Sequence, residues 1–130
     1  MLGTRLKGSV SAPSIPTDWT LDNVSIPAYG GFSVAAEELG PTGLFFKPDG
    51  TKMYITGTTG DEVNEYTLGT AWDIFTASYV QNFNVSAQEI SPTGLFFKDD
   101  GTKMYAIGSL GQDVNEYTLS SAWDISTASY

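Results

Sequence analysis

The amino-acid sequence predicts an all-β fold, a β-propeller of four-stranded antiparallel sheets, and three observations support that prediction. The stretches Pro41–Tyr79 and Pro92–Tyr130 align without a gap and are identical at 29 of 39 positions. The repeat distance is 51 residues, close to the period of about 40–50 residues that is typical of propeller blades. Short apolar runs alternate with turns rich in Gly and Asp, and no segment shows a sustained helical period.

Each repeat contains four predicted strands, which together make one blade. The apolar run Thr42–Lys47 is the first strand, and the Asp-Gly pair after it reverses the chain into a hairpin whose second arm is KMYITG. Gly50 and its counterpart Gly101 are expected to have positive φ angles in these turns. The segment VNEYTL at 63–68 is the third strand, and the alternating segment at 78–87 is the fourth.

The ends of the chain are out of phase with the blades. The second copy stops at Tyr130, where its fourth strand begins, whereas Phe32 aligns with Phe83 of the complete fourth strand at the same repeat distance. The predicted divisions are an N-terminal arm at 1–16, an orphan outer strand and loop at 17–40, a first blade at 41–91 and a second blade at 92–130 that lacks its outer strand. The orphan strand is expected to complete the last blade of a ring, an arrangement known as Velcro closure.

Two blades cannot close a propeller, which takes four to eight. We therefore expect a cyclic homo-oligomer in which each N-terminal strand completes a blade of the neighbouring copy, because a head-to-tail contact must close on itself or grow into a filament. A trimer with six blades is favoured, and a tetramer with eight remains open. The alternative is that the sequence is a fragment of a longer propeller.

Composition excludes several classes of function. The chain has 15 Asp and Glu against 6 Lys and Arg, a net charge of −9 that opposes binding to a nucleic-acid backbone. It contains neither Cys nor His, which excludes disulfides, thiolate- or His-bound zinc and a Ser-His-Asp triad. No cofactor, metal or catalytic residue is predicted. No apolar leader or membrane-length apolar run is present, so we expect no membrane insertion and a cytoplasmic or virion-associated location.

Two sets of motifs resemble known repeats. The phrase PTGLFFKPDGTKMYITG with the later VNEYTL resembles propeller repeats of the NHL and YVTN type. The phrases AWDISTASY and FNVSAQE are similar to tandem repeats in phage-associated and marine bacterial proteins of unassigned role. The resemblance covers about residues 28–130 and implies blade architecture without naming a ligand. In construction it is similar to small propeller lectins, some of which build six blades from three two-blade chains.

The Trp-Asp pairs before the fourth strands are the first candidate site. Trp72 with Asp73, and Trp123 with Asp124, combine an aromatic face with a carboxylate, a pairing that suits stacking on a sugar and accepting hydrogen bonds from its hydroxyls. Repeated weak sites of this kind would gain affinity through multivalency. The competing interpretation is that each Trp packs between adjacent blades.

An acidic face is the second candidate. In propeller geometry the loops from fourth to first strand share a face with the loops from second to third. The acidic residues placed there are Glu37, Glu38 and Glu89 in the first set, and Asp61, Glu62 and Asp113 in the second. They could steer a cationic partner, or they could form a solvated rim. No dedicated cation-binding motif is present.

Strand residues are expected to be structural. Tyr54, Tyr66 and their counterparts in the second copy are predicted core residues. Because neighbouring residues of a strand face opposite sides, one member of each Asn-Glu pair, at 64–65 and 115–116, is expected to point outward. The sequence therefore favours a non-catalytic, multivalent binding module with glycan as its expected ligand class. The alternatives are a structural ring adaptor or particle component without a small-molecule ligand, and an enzyme using paired carboxylates, which near-identical blades disfavour.

Overall fold

A computed structural model describes residues 30–130, and these residues form an all-β structure, as predicted. They contain two four-stranded antiparallel sheets, each with its strands in sequence order, and no α-helix. The first sheet comprises β1 (Pro41–Phe46), β2 (Lys52–Gly57), β3 (Glu62–Leu68) and β4 (Ala77–Asn84); the second comprises β5 (Pro92–Phe97), β6 (Lys103–Gly108), β7 (Val114–Leu119) and β8 (Ala128–Ser129). Single 3₁₀ turns, Ile74–Thr76 and Ile125–Thr127, precede β4 and β8. The predicted arm 1–16 and residues 17–29 of the orphan strand lie outside the described residues.

The hairpins between the first two strands of each sheet form as the sequence predicts. Gly50 and Gly101 have φ angles of 74° and 73°, a left-handed conformation that glycine adopts without steric cost. Asp49 fixes the first turn by accepting hydrogen bonds from the Thr51 amide at 3.0 Å and the Thr51 hydroxyl at 2.6 Å. The Lys47 ammonium and these hydrogen bonds hold the pKa of Asp49 well below its usual range.

The principal core lies between the two sheets. β1 and β2 pack against β5, so the sheets stack face to face as successive copies of the repeat. The buried apolar residues of this core are Tyr54, Val63, Val85, Phe97, Met104, Ala106, Tyr117, Leu119, Trp123 and Ile125. A smaller cluster of Met53, Ile55, Tyr66 and Leu68 lies on the opposite face of the first sheet. Burial of aromatic and aliphatic area, at about 25 cal/mol per Å², is what holds this stack together.

The fourth strands of the two sheets differ in length. β4 pairs with β3 along the whole of Glu62–Leu68, whereas β8 pairs only with Thr118 and Leu119. β8 is accordingly a strand of two residues, against eight in β4. Among residues 30–130, no strand pairs with the outer edge of β7 from Val114 to Tyr117.

A short segment before β1 packs against the outer face of the first sheet. Phe32 meets Tyr66 edge-on, with ring centroids 5.6 Å apart and an interplanar angle of 86°. The end of β4 makes the same contact on the second sheet, where Phe83 meets Tyr117 at 5.5 Å and 78°. Phe32 therefore occupies on the first sheet the place that Phe83, its counterpart one repeat later, occupies on the second.

Candidate functional site

The Trp loops are held by their own hairpin turns. Trp72 and Trp123 have φ angles of 68° and 66°, a left-handed conformation that is uncommon and costly for a bulky residue. Each Trp amide donates to the carbonyl of the turn glycine, Gly50 at 2.9 Å or Gly101 at 3.0 Å. Each indole lies so close over that glycine that an added Cβ would collide with the ring. The turn and the Trp loop consequently form one rigid unit.

Trp123 is a packing residue between the two sheets. It is 9% exposed, and its ring stacks on Phe97 at 5.6 Å, on Phe45 at 6.3 Å and on Tyr54 at 6.4 Å between centroids. The Lys47 ammonium lies 5.9 Å from the centroid of the indole, within the range of a cation–π interaction. With its faces occupied in this way, the Trp123 ring presents little surface to solvent within residues 30–130.

Trp72 has the same local structure in a different environment. It is 58% exposed and contacts Phe46 at 5.5 Å between ring centroids. The difference has a simple origin: the first sheet covers Trp123, whereas the corresponding side of Trp72 is not covered by any residue from 30 to 130. The two candidate Trp residues thus occupy equivalent positions in the repeats but differ in burial.

The two partner carboxylates cap the 3₁₀ turns. Asp73 accepts a hydrogen bond from the Phe75 amide at 3.0 Å. Asp124 accepts from the amide and hydroxyl of Ser126 at 3.0 and 2.7 Å, and from the Gln81 amide side chain at 2.9 Å. The Ser126 hydroxyl, with Gln81, holds the pKa of Asp124 below its usual range. These carboxylates stabilise the loops that carry the Trp residues.

Two of the six acidic-face residues are buried in the loops. Glu38 is 1% exposed and accepts hydrogen bonds from the amides of Gly40, Thr59 and Gly60 at 2.7, 3.1 and 3.1 Å. Glu89 is equally buried and accepts from the amides of Ser91 and Gly111 at 2.7 and 2.8 Å. Each carboxylate ties the loop that precedes its sheet to the loop between the second and third strands. Both carboxyl groups are buried within the loops and are not presented on the surface.

Of the other four acidic residues, Glu37, Asp61 and Asp113 lie in loops, whereas Glu62, which was predicted in a loop, is the first residue of β3. Glu37 accepts a hydrogen bond from the Tyr66 hydroxyl at 3.0 Å, and Asp113 accepts one from the Asn115 side chain at 3.0 Å. Asp61, the last loop residue before β3, has a left-handed φ of 54°. The described residues contain no cluster of three potential metal ligands. The predicted acidic face therefore depends on these four carboxylates.

A polar cluster between the sheets was not predicted from the sequence. Glu65 is 1% exposed and accepts hydrogen bonds from Lys52 at 2.5 Å, Gln81 at 3.0 Å and the Ile125 amide at 3.3 Å. The Tyr54 hydroxyl donates to the Trp123 carbonyl at 2.8 Å, and burial raises the Tyr54 pKa. This cluster joins the two sheets by directional bonds. Only the two-sheet packing reveals it, because the sequence signal for Glu65 is identical to that for Glu116.

The prediction that one member of each Asn-Glu pair points outward is wrong for the first pair. Asn64 and Glu65 are both buried, because the second sheet covers one side of β3 while Phe32 packs on the other. The second pair behaves as predicted: Asn115 is buried and the Glu116 side chain is 46% exposed. Glu116 pairs with Lys103 at 2.6 Å, which lowers the pKa of Glu116 and raises that of Lys103.

Both outer faces of the two-sheet stack are apolar, and within residues 30–130 each contains an open cavity. A cavity of about 350 Å³ on the first sheet is lined by Phe32, Val34, Leu44, Phe46, Ile55 and Ile74, among others. A second cavity of about 320 Å³ on the second sheet is lined by residues including Leu95, Phe96, Tyr105, Ile107 and Val114. Exposed apolar patches of this kind mark interaction surfaces. These two faces are the candidate functional site of the described chain.

Comparison with known proteins adds no identity. No family model matches the chain, and searches of curated proteins and of solved structures return no match. No helix in the described part of the chain is long and apolar enough to cross a membrane. The class of the protein is therefore defined by its own geometry: residues 30–130 form a tandem pair of antiparallel sheets whose two outer apolar faces are not covered by any of these residues.

The turn glycines give a prediction that separates the two Trp environments. Gly101→Ala is expected to destabilise the fold by about 2–4 kcal/mol, because it adds left-handed strain and forces a methyl group against a buried indole. Gly50→Ala imposes the same strain beneath the half-exposed Trp72, which can shift, so we expect about 1–2 kcal/mol. Urea unfolding of both variants measures the difference, and a larger loss at Gly50 would contradict this account.

Proposed function

We propose that the chain is a non-catalytic, self-assembling module whose copies join head to tail into a closed β-propeller ring, each chain supplying two blades. One observation carries the proposal. Within residues 30–130, two equivalent sheets stack as consecutive units, and the stack ends in an uncovered apolar face on either side. A stack with two different uncovered ends adds further units head to tail, and it forms a ring when the rotation between units closes or a filament when it does not.

The strand edges support the same arrangement. The edge of β7 from Val114 to Tyr117 corresponds to the edge of β3 that β4 covers within the first sheet. The sequence register aligns Phe32 with Phe83 of β4, so the segment around Phe32 of the next copy would supply the missing strand. The matching Phe32–Tyr66 and Phe83–Tyr117 contacts are those expected of this exchange. An uncovered edge is otherwise a site of misassociation.

The number of chains follows from the number of blades. Propellers take four to eight blades, which corresponds to two, three or four copies of a two-blade chain. We favour the trimer with six blades. The tetramer with eight blades is the nearest alternative.

The contacts support a scaffolding role better than glycan binding at the Trp loops. Trp123 is occupied by packing, and both Asp73 and Asp124 are engaged as caps. In the proposed ring, Trp72 takes the environment that Trp123 has within the chain. The Trp-Asp pairs are then joints between blades, and the ring serves as a structural adaptor or particle component.

Light scattering behind a sizing column, over a hundredfold dilution, tests the ring. A closed trimer has three times the mass of one 14.0-kDa chain at every concentration, and a closed tetramer has four times that mass. A mass that stays at the single-chain value, or one that rises continuously with concentration, contradicts the proposed function. The former result would favour a fragment of a longer propeller.

A further inference from the structure

We infer that the outer face of the second sheet docks on the outer face of the first sheet of a second copy, through the contacts that join the two sheets within one chain. This inference rests on the proposed ring and specifies its interface. The occupant of each open face is thus another copy of this chain, and the internal sheet–sheet contact is the template.

The donating face of the second sheet repeats the covered face of the first. Three aromatic and aliphatic residues of the first sheet pack against the second sheet, and each has a counterpart at the same position of the second repeat. The pairs are Phe45 and Phe96, Tyr54 and Tyr105, and Val63 and Val114. Val63 is fully buried, whereas Val114 is 63% exposed. The second sheet therefore presents the side chains of a sheet interface without the sheet that covers them.

The accepting face of the first sheet repeats the residues with which the second sheet contacts the first sheet inside the chain. Residues Phe97, Trp123 and Ile125 receive the first sheet within the chain, and their counterparts are Phe46, Trp72 and Ile74. Phe46 and Ile74 line the cavity on the first sheet, and Trp72 contacts Phe46 at its edge. The cavity has the location and the lining required to receive Tyr105 and Val114 of another copy.

Hydrogen-bonding groups repeat in the same way. The Tyr54 hydroxyl donates to the Trp123 carbonyl at 2.8 Å, and the Thr42 hydroxyl donates to the Pro92 carbonyl at 2.7 Å. Their counterparts join Tyr105 to the Trp72 carbonyl and Thr93 to the Pro41 carbonyl of the next copy. Each donor lies on the second sheet and each acceptor belongs to the first repeat.

An ion pair on the donating face corresponds to the ion pair that lies between the two sheets of one chain. Lys103 and Glu116 are joined at 2.6 Å on the exposed face, as Lys52 and Glu65 are joined between the sheets. Glu65 also accepts from the Ile125 amide, so Glu116 is expected to accept from the Ile74 amide of the next copy. A charge that enters an interface with its partner and a backbone donor avoids the cost of an isolated buried charge.

Two differences between the repeats favour contact between copies. Ile107 on the donating face replaces Thr56, and Ile55 on the accepting face replaces Ala106. Both changes add apolar area to the interface between chains relative to the interface within the chain. Ile107 is 45% exposed and Ile55 lines the receiving cavity, so this added area is available.

Two variants that each disable one face test the inference. Val114→Lys places a charge on the donating face, and Trp72→Ala removes the aromatic side chain at the edge of the accepting face. Each variant alone is expected to have the mass of a single chain at concentrations where the wild type forms the ring. An equimolar mixture retains one intact face of each kind and is expected to form a 1:1 dimer, with twice the mass of one chain, that grows no further.

The control is Leu110→Lys, since Leu110 has the same 63% exposure as Val114 but lies in a loop outside both cavities. It should keep the wild-type mass. Ile107→Lys and Leu44→Lys repeat the test if circular dichroism shows that either first variant is unfolded.

The outcomes separate the interface from the ring. If the wild type is oligomeric but both variants keep its mass, the ring stands and this interface is wrong. If Val114→Lys dissociates the ring while Trp72→Ala does not, or if the mixture keeps the mass of a single chain, the faces do not meet head to tail. A wild-type protein with the mass of a single chain overturns the ring itself.

Discussion

Glu65→Ala is expected to destabilise the fold by about 3 kcal/mol or more, one of the two largest effects of a single substitution that this structure predicts. The carboxylate is 1% exposed and joins Lys52, Gln81 and the Ile125 amide between the sheets. Its removal takes the anionic partner away from Lys52, which keeps the Trp123 carbonyl as an acceptor at 2.9 Å, and it leaves the buried Ile125 amide without its acceptor. Urea unfolding in the Val114→Lys variant, which the proposed interface predicts to be monomeric, measures this loss without a contribution from assembly.

Glu116→Ala is the matched control, because it removes the same residue from the same position of the second repeat. In the Val114→Lys background its pair with Lys103 is exposed to solvent, and we expect a much smaller loss of stability than at Glu65. Equal losses at Glu65 and Glu116 would show that Glu65 is not a buried link between the sheets. In the ring-forming background, Glu116→Ala should weaken assembly.

Trp123→Ala is expected to cost about 3–5 kcal/mol, the range for truncating a large buried aromatic side chain. The indole fills the space between Phe97, Tyr54 and Phe45, and its removal leaves a cavity between the sheets. In the monomeric background, Trp72→Ala is expected to cost less than about 1 kcal/mol, because 58% of that residue is already exposed.

The two Trp variants also separate packing from ligand binding. If Trp123→Ala folds with wild-type stability and only loses binding to a glycan, the packing role assigned to Trp123 is wrong. If it unfolds at lower urea concentration while Trp72→Ala chiefly loses assembly, both residues are joints between sheets.

The sequence predicts the strands because each is bounded by strong local signals. The Asp-Gly turns, the repeated TGLFF run and the alternation in residues 78–87 place the four strands of the first sheet close to those observed. The positive φ of Gly50 is likewise a local consequence of a tight reversal. Such features are determined by a few residues that are adjacent in the sequence, so the sequence alone is enough to predict them.

The environments of identical residues could not be predicted in the same way. Glu65 and Glu116 occupy the same phrase, VNEYTL, yet one is buried between sheets and the other is on an outer face. Trp72 and Trp123 differ for the same reason. Whether a residue is buried depends on whether another sheet packs against its side of the strand. That packing involves segments distant in the sequence, so local signals do not reveal it.

The loop carboxylates illustrate a second limit. Glu38 and Glu89 are placed on an acidic face by their position in the chain, but their oxygens accept backbone hydrogen bonds from an adjacent loop. A count of charges in loops does not distinguish a solvated carboxylate from one that organises the loop. The contact geometry does.

Disulfide trapping tests most directly whether the interface between copies repeats the interface within the chain. The chain has no cysteine, so a Pro41→Cys and Thr93→Cys variant contains one pair, placed where the proposed ring joins two copies. Thr42→Cys with Pro92→Cys is the matched pair across the internal interface, where the two residues already share a 2.7 Å hydrogen bond.

On oxidation, the internal pair should close within one chain and run as a single chain on a denaturing gel. The account predicts that the Pro41–Thr93 pair gives covalent species of two and three chains. A Pro41–Thr93 variant that runs only as a single chain, while the internal pair closes and the native mass is oligomeric, would contradict the account.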